Sequence, residues 1–274
     1  SGREGGGGRR KLEEAVSLSQ RRQQIVRRLR QRKSRVREGL VLVEGVRAVR
    51  EALDAGAELR FVITAPRLGS VPGGRDLVSI MGGAGIAPDV IGDADMTSLA
   101  DTEHPQGVLA VFAQPQSGVE VVRPRGRYLV LDGVQDPGNV GTLIRGAVAF
   151  EVDAVVALDG TADPWGTKAV RASAGMVFRK PVVMLQFGEA MQQLAGKGVA
   201  ILVADPSGTD VTTFDLPDGW ALVVGNEGTG PRREVEMSGG NRVSIPMPGP
   251  AESLNVGVAG AILLFALTRG EPSA

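Results

Sequence analysis

Short apolar runs alternate with amphipathic segments over most of the chain. Between residues 127 and 268 the runs are continuous, as in LVLDGV, AVVAL and WALVVGN, and the segments between them carry apolar residues every three to four positions. Continuous apolar runs are typical of strands that are buried on both faces, and the second spacing is typical of helices. The pattern predicts an α/β fold in which a mostly parallel sheet carries helices on both faces.

The same alternation occurs in a shorter form between residues 39 and 112. It predicts the strands LVLVEG, LRFVIT and GVLAVFA, a helix that ends at Gly56, and shorter helices near residues 76–81 and 96–99. The residues that follow mix Pro, Gly and Arg without a clear period, which is typical of a linker. The predicted organisation is a flexible N-terminus over residues 1–10, a small N-terminal α/β domain over 11–113, a linker over 114–126 and a C-terminal domain over 127–274.

A basic helix is predicted to open the first domain, from Lys11 to about Arg37. Its apolar positions form a partial stripe beneath an arginine-rich face, and they are Leu12, Val16, Ile25, Val26 and Leu29. Over the whole chain the charges cancel, with 31 Lys and Arg against 31 Asp and Glu, so this segment contrasts with an acidic remainder. The asymmetry favours contact with a polyanion such as nucleic acid, and a solvated basic helix is the alternative. The candidate RNA-binding residues of this helix are Arg27, Arg28, Arg30, Arg32 and Arg35.

The residue composition excludes several kinds of chemistry. The chain has no cysteine, which excludes disulfides, thiolate metal ligands and a cysteine nucleophile. Its one histidine, His104, argues against a histidine-based triad and against a histidine-rich metal site. No apolar run is long enough to span a bilayer, and the N-terminus lacks the apolar core of a signal peptide. We expect a cytoplasmic protein that uses no metal and has no membrane partner.

Three polar turns interrupt the second domain, and each follows an apolar strand. The first turn, 136–139, leads into a helix that contains Arg145, and the second is GNEGTG at 225–230. The third, 245–249, runs into Glu252-Ser253-Leu254-Asn255 at the start of the last helix. In open α/β sheets, ligands and catalytic groups collect at the carboxyl ends of strands. The three turns are therefore candidate parts of one site.

Each turn also has a simpler interpretation. The glycines of GNEGTG let a backbone approach a ligand closely, but the turn also suits a helix-entry loop, and it is neither a dinucleotide fingerprint nor a phosphate loop. Ser253 and Asn255 fit capping of the last helix. A functional role is harder to dismiss for Arg145 within TLIRGAVAF, because an arginine in an apolar helix is costly to bury unless it is paired or points into a site.

Together the three turns resemble the motifs of the SpoU/TrmH family of S-adenosylmethionine-dependent RNA ribose 2′-O-methyltransferases. LDGVQDPGNVGTLIR resembles the first motif of that family, LVVGNEGTGP the second and VSIPMPGPAESLNVGVAGAILL the third, in the family order. The resemblance covers Tyr128 to Leu267, and RASAG at 171–175 matches a further stretch. The first domain resembles, more loosely, the substrate-binding domain of ribosomal RNA members, through VEG and QGVLAVF.

The resemblance implies a cofactor and an assembly. The C-terminal domain should be an α/β methyltransferase domain whose last segments form a deep trefoil knot, and the knot should hold S-adenosylmethionine. Members of the family are homodimers in which the long last helix packs across the interface, so that residues of both chains complete the active site. The cofactor-binding residues implied are Gly225, Ile245, Leu254, Val224, Asn226, Pro246, Met247 and Ala204.

The resemblance also implies catalytic residues, which are Arg145, Asn139, Glu227, Ser253 and Asn255. The reaction is an in-line attack of a ribose 2′-hydroxyl on the sulfonium methyl group. Because a guanidinium is essentially always protonated, we expect Arg145 to bind the RNA phosphate or the 2′-oxygen and favour its ionised form, rather than abstract the proton. Asn139 and Asn255 should orient groups, and Glu227 should fix either Arg145 or the loop.

The leading hypothesis is an enzyme that methylates a ribose of ribosomal RNA, in the large subunit. Methylation at an antibiotic site, which would give self-resistance, is one specific form of this hypothesis. A transfer-RNA 2′-O-methyltransferase is an alternative, although the additional first domain argues against it. A non-catalytic RNA-binding or ribosome-assembly protein is another, although the intact Arg145, Glu227 and Asn255 argue against that.

Overall fold

The computed structural model divides the chain into two compact units, with the division between Gln114 and Pro115. The structure describes residues 20–269. The predicted flexible N-terminus over 1–10, and the apolar positions Leu12 and Val16 of the basic helix, lie outside the described residues.

The first unit is a four-stranded mixed sheet with helices packed against it. Its strand order is β1-β4-β2-β3, in which β4 is antiparallel to both neighbours and β3 is parallel to β2. Leu42, Ile63 and Val111 of the sheet share a core with Val26 and Leu29 of the first helix. The elements are α1 (20–29), α2 (Arg32–Glu38), β1 (Leu40–Glu44), α3 (Val46–Asp54), β2 (Leu59–Thr64), a 3-10 helix (Pro66–Ser70), α4 (Gly74–Gly83), β3 (Asp89–Val90), α5 (Asp93–Leu99) and β4 (Val108–Ala113).

Within residues 20–38 the basic segment forms two helices, where a single helix was predicted from Lys11 to about Arg37. The helical conformation is interrupted at Gln31, whose backbone is extended. The Arg35 guanidinium donates to the carbonyl oxygens of Leu29 and Arg30, each at 2.8 Å. These carbonyls end α1 and lack helical partners, so the side chain of Arg35 supplies them. Arg35 is only 4% exposed. Its assignment to an exposed RNA-binding face is therefore wrong.

The other arginines of this segment differ in what they contact. Arg30 donates from one guanidinium nitrogen to the carbonyl oxygens of Leu99 and Ala100, each at 2.6 Å, and so ties α1 to the end of α5. Arg28 forms an exposed ion pair with Glu38. The residues of the predicted set whose side chains are exposed are Arg27, Arg28, Arg30 and Arg32.

The second unit contains a six-stranded sheet in which every pair of neighbours is parallel. The strand order is β10-β8-β9-β5-β6-β7. The elements are a 3-10 helix (Val119–Val121), β5 (Arg127–Asp132), α6 (Pro137–Ala149), β6 (Ala154–Leu158), α7 (Thr167–Ala172), a 3-10 helix (Met176–Phe178), β7 (Val182–Leu185), α8 (Phe187–Gly196), β8 (Ala200–Asp210), β9 (Trp220–Gly225), α9 (Arg233–Met237), β10 (Asn241–Ser244) and α10 (Val256–Thr268).

Helices cover both faces of this sheet. On one face, Val130 and Val223 share a core with Ala190 of α8. Successive strand residues point to opposite faces, and Val224 lies against Gly260 of α10 on the other face. The predicted α/β arrangement, a parallel sheet between two helix layers, is confirmed.

Most of the segment predicted as a linker belongs to the second unit. Val122 is 3% exposed and packs in the same core as Tyr128. The Tyr128 hydroxyl accepts a hydrogen bond from the backbone N–H of Arg123 at 2.7 Å, which fixes the segment against β5. The apolar VEVV within the predicted linker was the signal of this packing.

Helices α6 and α10 run side by side in the same direction. A Cβ at Gly146 would lie 3.9 Å from Ala261, and the rings of Phe150 and Phe265 are 5.9 Å apart, so both pairs have the same offset in sequence. The N-terminal ends of the two helices are therefore neighbours at the carboxyl edge of the sheet. Within residues 20–269, no helix is both long and apolar enough to cross a membrane.

Candidate active site

A cavity of about 470 Å³ opens at the carboxyl edge of the second sheet. Its walls come from the part of β8 just past its pairing with β9, the loop after β9, the segment after β10 and the first turns of α10. In parallel α/β sheets, ligands bind outside the carboxyl ends of the strands. The second and third polar turns therefore meet around one space, in the place where the fold favours a binding site.

Most residues that were predicted to bind the cofactor line this cavity. Pro246 does not, although Ile245 and Met247 on either side of it do. Three of the predicted catalytic residues, Glu227, Ser253 and Asn255, also line the cavity. The predicted cofactor residues that line it are Ala204, Val224, Gly225, Asn226, Ile245, Met247 and Leu254.

The loop after β9 is folded tightly back on itself. Asn226 and Gly230 exchange two backbone hydrogen bonds, with N to O distances of 3.1 and 2.9 Å. The side-chain oxygen of Asn226 accepts a further hydrogen bond from the backbone N–H of Gly228 at 2.9 Å. A Cβ at Gly225 would overlap the backbone of Gly230 and Pro231, so only glycine fits at the base of the loop.

A chain of hydrogen bonds joins all three turns. The Glu227 carboxylate accepts from Asn139 Nδ2 at 2.9 Å, and Asn139 Oδ1 accepts from Asn255 Nδ2 at 3.0 Å. Asn255 Oδ1 accepts from the backbone N–H groups of Gly257 and Val258 and so caps α10. The partners lie 88 and 116 residues apart in the sequence. We call Glu227, Asn139 and Asn255 the relay.

The two ends of the relay fix the orientation of its amides. The N–H groups that begin α10 need an acceptor, so Asn255 turns its oxygen to the helix and its NH2 group to Asn139. An ionised carboxylate can only accept, so Asn139 turns its NH2 group to Glu227. The relay therefore holds polar groups of fixed direction beside the cavity before any ligand binds.

Glu227 anchors the relay to the first turn. Besides Asn139, its carboxylate accepts from the backbone N–H groups of Gln135 and Asp136, at 3.2 and 3.1 Å. Desolvation raises the pKa of the Glu227 carboxyl, but the hydrogen bonds from Asn139 and from backbone N–H groups outweigh it, so the pKa is lowered. Glu227 is thus an ionised acceptor and a weak base at neutral pH.

Arg145 lies outside this network. Its side chain is exposed, it does not line the cavity, and within the described residues it makes no hydrogen bond or ion pair. It lies with Thr142 and Ala149 on the solvent-exposed face of α6, so the argument from a costly buried arginine does not apply. Of the two roles expected for Glu227, the structure contains the contact with the loop and not the contact with Arg145.

Ser253 and Asn255, which were both predicted to cap the last helix, have different positions. Asn255 is the N-cap of α10, and the helix begins at Val256 instead of Ser253. Ser253 is exposed at the wall of the cavity. Asn255 therefore caps α10, and Ser253 belongs to the lining of the cavity.

Asp205 and Pro206 also line the cavity, and they lie outside the three turns. The Asp205 carboxylate accepts from the Ser207 hydroxyl and from its backbone N–H, each at 2.7 Å. The hydroxyl contact is the largest influence on the pKa of Asp205, which is lowered despite desolvation. The sequence pattern that could have indicated Asp205 and Pro206 as site residues is the polar DPSG directly after the apolar AILVA. Residues 20–269 contain no cluster of side chains that could hold a metal ion.

The fold and the site define a class of α/β protein with a ligand cavity at the carboxyl edge of a parallel sheet. Residues 126–265 match the SpoU rRNA Methylase family, and residues 10–110 match the MRM3-like substrate binding domain. The chain belongs to the SpoU rRNA Methylase family. The resemblances of both domains are thereby confirmed, whereas the trefoil knot stays a prediction.

Full-length relatives are similar over nearly the whole chain. The 23S rRNA (guanosine(2553)-2′-O)-methyltransferase RlmP of Bacillus subtilis is 33% identical over 242 residues, which are 88% of this chain and 93% of the relative. The 23S rRNA (uridine(2479)-2′-O)-methyltransferase of Streptomyces viridochromogenes is 30% identical, over 93% of this chain and 91% of the relative.

Solved structures agree in fold with this chain. The AdoMet-bound rRNA methyltransferase of Sinorhizobium meliloti has a TM-score of 0.78 and 28% identity, over 92% of this chain and 95% of its own. The SpoU methyltransferase AviRb of Streptomyces viridochromogenes, in complex with the cofactor AdoMet, has a TM-score of 0.78 and 27% identity, over 90% and 97% of the two chains.

Replacing Glu227 by Gln should destabilise the folded chain at neutral pH. Glutamine offers one acceptor oxygen where the carboxylate serves three donors, and we expect a loss of about 0.5–1 kcal/mol in the free energy of unfolding, because the group is partly screened by solvent. Since folding lowers the pKa of Glu227, the advantage of the parent is complete above the ordinary carboxyl range and is lost as the pH falls through the lowered value. Urea unfolding at neutral and acid pH measures both effects.

The control for this comparison is Glu103→Gln, because Glu103 is an exposed glutamate of the first unit. It should leave the unfolding midpoint unchanged at either pH. A loss in Glu227→Gln that is the same at acid and neutral pH would contradict the role of the ionised carboxylate.

Proposed function

We propose that the chain transfers the methyl group of S-adenosylmethionine to a ribose 2′-hydroxyl of ribosomal RNA. The observation that carries the proposal is the cavity of about 470 Å³ with the relay at its wall, because it combines a space for a cofactor with fixed polar groups. The names of the relatives from Bacillus subtilis and Streptomyces viridochromogenes support the reaction and the substrate, and the two AdoMet-bound structures support the cofactor.

The lining of the cavity suits S-adenosylmethionine. Its volume lies within the range of ~300–1,000 Å³ that is usual for small-molecule sites. Val224, Ile245 and Met247 offer apolar walls for a purine ring, and the glycine-rich loop that begins at Gly225 offers backbone groups for contact with a ribose. We assign cofactor binding to these residues with Asn226, Leu254 and Ala204. Pro246 shapes the segment between its two lining neighbours.

Methyl transfer requires an oriented 2′-oxygen more than it requires a strong base. The bound cofactor supplies an electrophilic methyl group on a sulfonium. A guanidinium is essentially always protonated and Glu227 is a weak base, so neither takes the proton readily. We assign to Arg145 the binding of the RNA phosphate or the 2′-oxygen, which favours the ionised form, with the proton passing to solvent or phosphate. Asn139 and Asn255 orient the reacting groups, and Ser253 faces them from the cavity wall.

We further propose that the working enzyme is a homodimer. Val258, Ile262 and Phe265 of α10 are exposed by 48, 38 and 52% and recur on one stripe of the helix. Because α6 runs beside α10, the exposed face that carries Arg145 borders this stripe. A second copy that covers the stripe by a two-fold axis would enclose Arg145 as well, so that residues of both chains complete the active site.

The substrate that fits the relatives best is large-subunit RNA. Their names specify a guanosine in Bacillus subtilis, a uridine in Streptomyces viridochromogenes and an adenosine in Streptomyces laurentii, so the base differs and the ribose 2′-hydroxyl is shared. We assign RNA binding to the domain that matches over residues 10–110 and the methyltransferase reaction to the one that matches over 126–265. We also propose a cytoplasmic location, which the bacterial relatives that act on ribosomal RNA support. A role in antibiotic self-resistance stays a prediction.

Replacing Arg145 by Ala should abolish methyl transfer and leave cofactor binding intact. Because Arg145 does not line the cavity, calorimetry should give the parent affinity for S-adenosylmethionine. Transfer of labelled methyl groups to ribosomal RNA should fall by roughly 100-fold or more, which is the usual effect of removing one charge-stabilising group. The matched control is Lys197→Ala, because Lys197 is an exposed cation that follows α8 on the other side of the sheet.

The outcomes of this assay separate the competing functions. A parent chain that transfers no methyl group to ribosomal RNA contradicts the proposed reaction, and one that binds RNA but not the cofactor favours a scaffold. An unaffected Arg145→Ala contradicts only the role of Arg145.

Replacing Ile262 by Asp should convert the dimer into monomers, because the contact would bury an unpaired charge. Sedimentation velocity measures the change. Leu216→Asp is the matched control, since Leu216 is 37% exposed and Ile262 is 38% exposed, but Leu216 belongs to the loop between β8 and β9 and not to α10. A parent chain that sediments as a monomer at micromolar concentration would contradict the homodimer.

Replacing Arg27 by Gln should weaken RNA binding without lowering the melting temperature. Each lost phosphate contact should flatten the slope of log affinity against log salt by about 0.7–0.9. Arg35→Gln should instead lower the melting temperature, because the buried Arg35 caps α1. Fluorescence anisotropy over a salt series and thermal unfolding test this pair. Equal salt slopes for the parent and Arg27→Gln would remove Arg27 from the RNA contact.

A further inference from the structure

Arg232 contacts the end of β5 twice. Its Nε donates to Asp132 Oδ1 at 2.6 Å, and its backbone N–H donates to Asp132 Oδ2 at 2.7 Å. Asp132 is the last residue of β5, and its side chain is only 2% exposed. A carboxylate that receives both a main-chain and a side-chain donor of one residue fixes that residue in position as well as in charge.

The other side of the same guanidinium reaches two more elements. Arg232 Nη1 donates to the Asp159 carboxylate at 3.3 Å and Nη2 to the Asp159 carbonyl oxygen at 2.9 Å, just after β6. The guanidinium carbon lies 4.9 Å from the centre of the Phe187 ring, where α8 begins. Desolvation lowers the pKa of Arg232, but Asp132 and Asp159 outweigh it and raise the pKa.

These contacts hold both ends of the loop that forms a wall of the cavity. Asp132 pairs with Gly225 in the register of β5 and β9, which sets the start of the loop. The loop then closes through Asn226 and Gly230, and two residues later Arg232 returns to Asp132. Asp132 therefore holds the loop at its start through the sheet and at its end through an ion pair.

We propose that Arg232 and Asp132 are a positioning pair that holds loop 226–230 in its cofactor-binding form before any ligand arrives. Arg232 does not line the cavity, so it acts through the loop and through Glu227, which the loop carries to the first turn. Only the identity of the ligand rests on the proposed function. The positioning concerns the ligand-free chain.

Hydrogen exchange of the ligand-free chain tests the pair directly. In Arg232→Gln, amides of loop 226–230 and of residues 135 and 136 should exchange about tenfold faster or more, the ratio expected when a charge-assisted contact is lost. Arg232→Lys should be intermediate, since one ammonium group cannot serve Asp132 and Asp159 together. The matched control Arg233→Gln changes the exposed neighbour and should exchange like the parent.

A compensating substitution separates positioning from general destabilisation. Adding Asp132→Asn to Arg232→Gln removes the unpaired buried charge but does not restore the ion pair, so the double variant should keep the unfolding midpoint of the parent while the amides of loop 226–230 still exchange faster than in the parent. Unchanged loop exchange in Arg232→Gln overturns the proposal. Faster exchange throughout β5, β6 and β9 also overturns it, because that is the mark of a merely structural residue. If Arg232→Gln does not fold, the Lys variant carries the same comparison.

Cofactor binding supplies a second readout. Calorimetry with S-adenosylmethionine should give a dissociation constant about tenfold weaker for Arg232→Gln than for Arg233→Gln, while the turnover number at saturating cofactor stays within about threefold. A parent that does not bind S-adenosylmethionine contradicts the proposed function and leaves the exchange result standing. A parent that binds it no better than Arg232→Gln contradicts the positioning pair.

Discussion

The hydrogen bond between Asn139 and Asn255 is the contact on which the site depends. It joins the first turns of α6 and α10, which are 116 residues apart in the sequence, and it requires the two helices to run in the same direction. Close packing makes this possible, because a Cβ at Gly260 would overlap Leu143 of α6. If the helices were displaced by one turn, Asn255 could not serve Asn139, and Glu227 would lose its side-chain partner.

Four arginines of the described residues fall into two physical groups. Arg35 donates through Nη1 to two helix carbonyls, and Arg232 donates through three nitrogens to two aspartates, so both guanidinium groups are held by contacts within the protein. Arg27 and Arg145 are exposed, and their charge remains directed at solvent. A polyanion can contact the second group directly, whereas Arg35 is buried and Arg232 is already paired with two carboxylates.

The fold could be predicted from the sequence because apolar runs such as LVLDGV are buried on both faces and leave an unmistakable pattern. The three turns could be placed together because parallel strands end at one edge. The break at Gln31 could not be predicted, because it depends on where the Arg35 side chain reaches. The ion pair of Arg232 with Asp132 joins residues 100 apart, and no local pattern marks it. The exposure of Arg145 was readable from its spacing to Thr142 and Ala149 on one helix face.

The position of α10 in the chain has a consequence for synthesis. The six-stranded sheet can form its central strands β5, β6 and β9 from segments that all precede residue 226, but one wall of the cavity and the Asn255 cap belong to the last described helix and the residues just before it. A nascent chain therefore builds its scaffold well before it has any site to fill. A ligand of the cavity can stabilise only the finished fold and cannot guide the sheet while it assembles, so the early folding steps must rely on the apolar core alone.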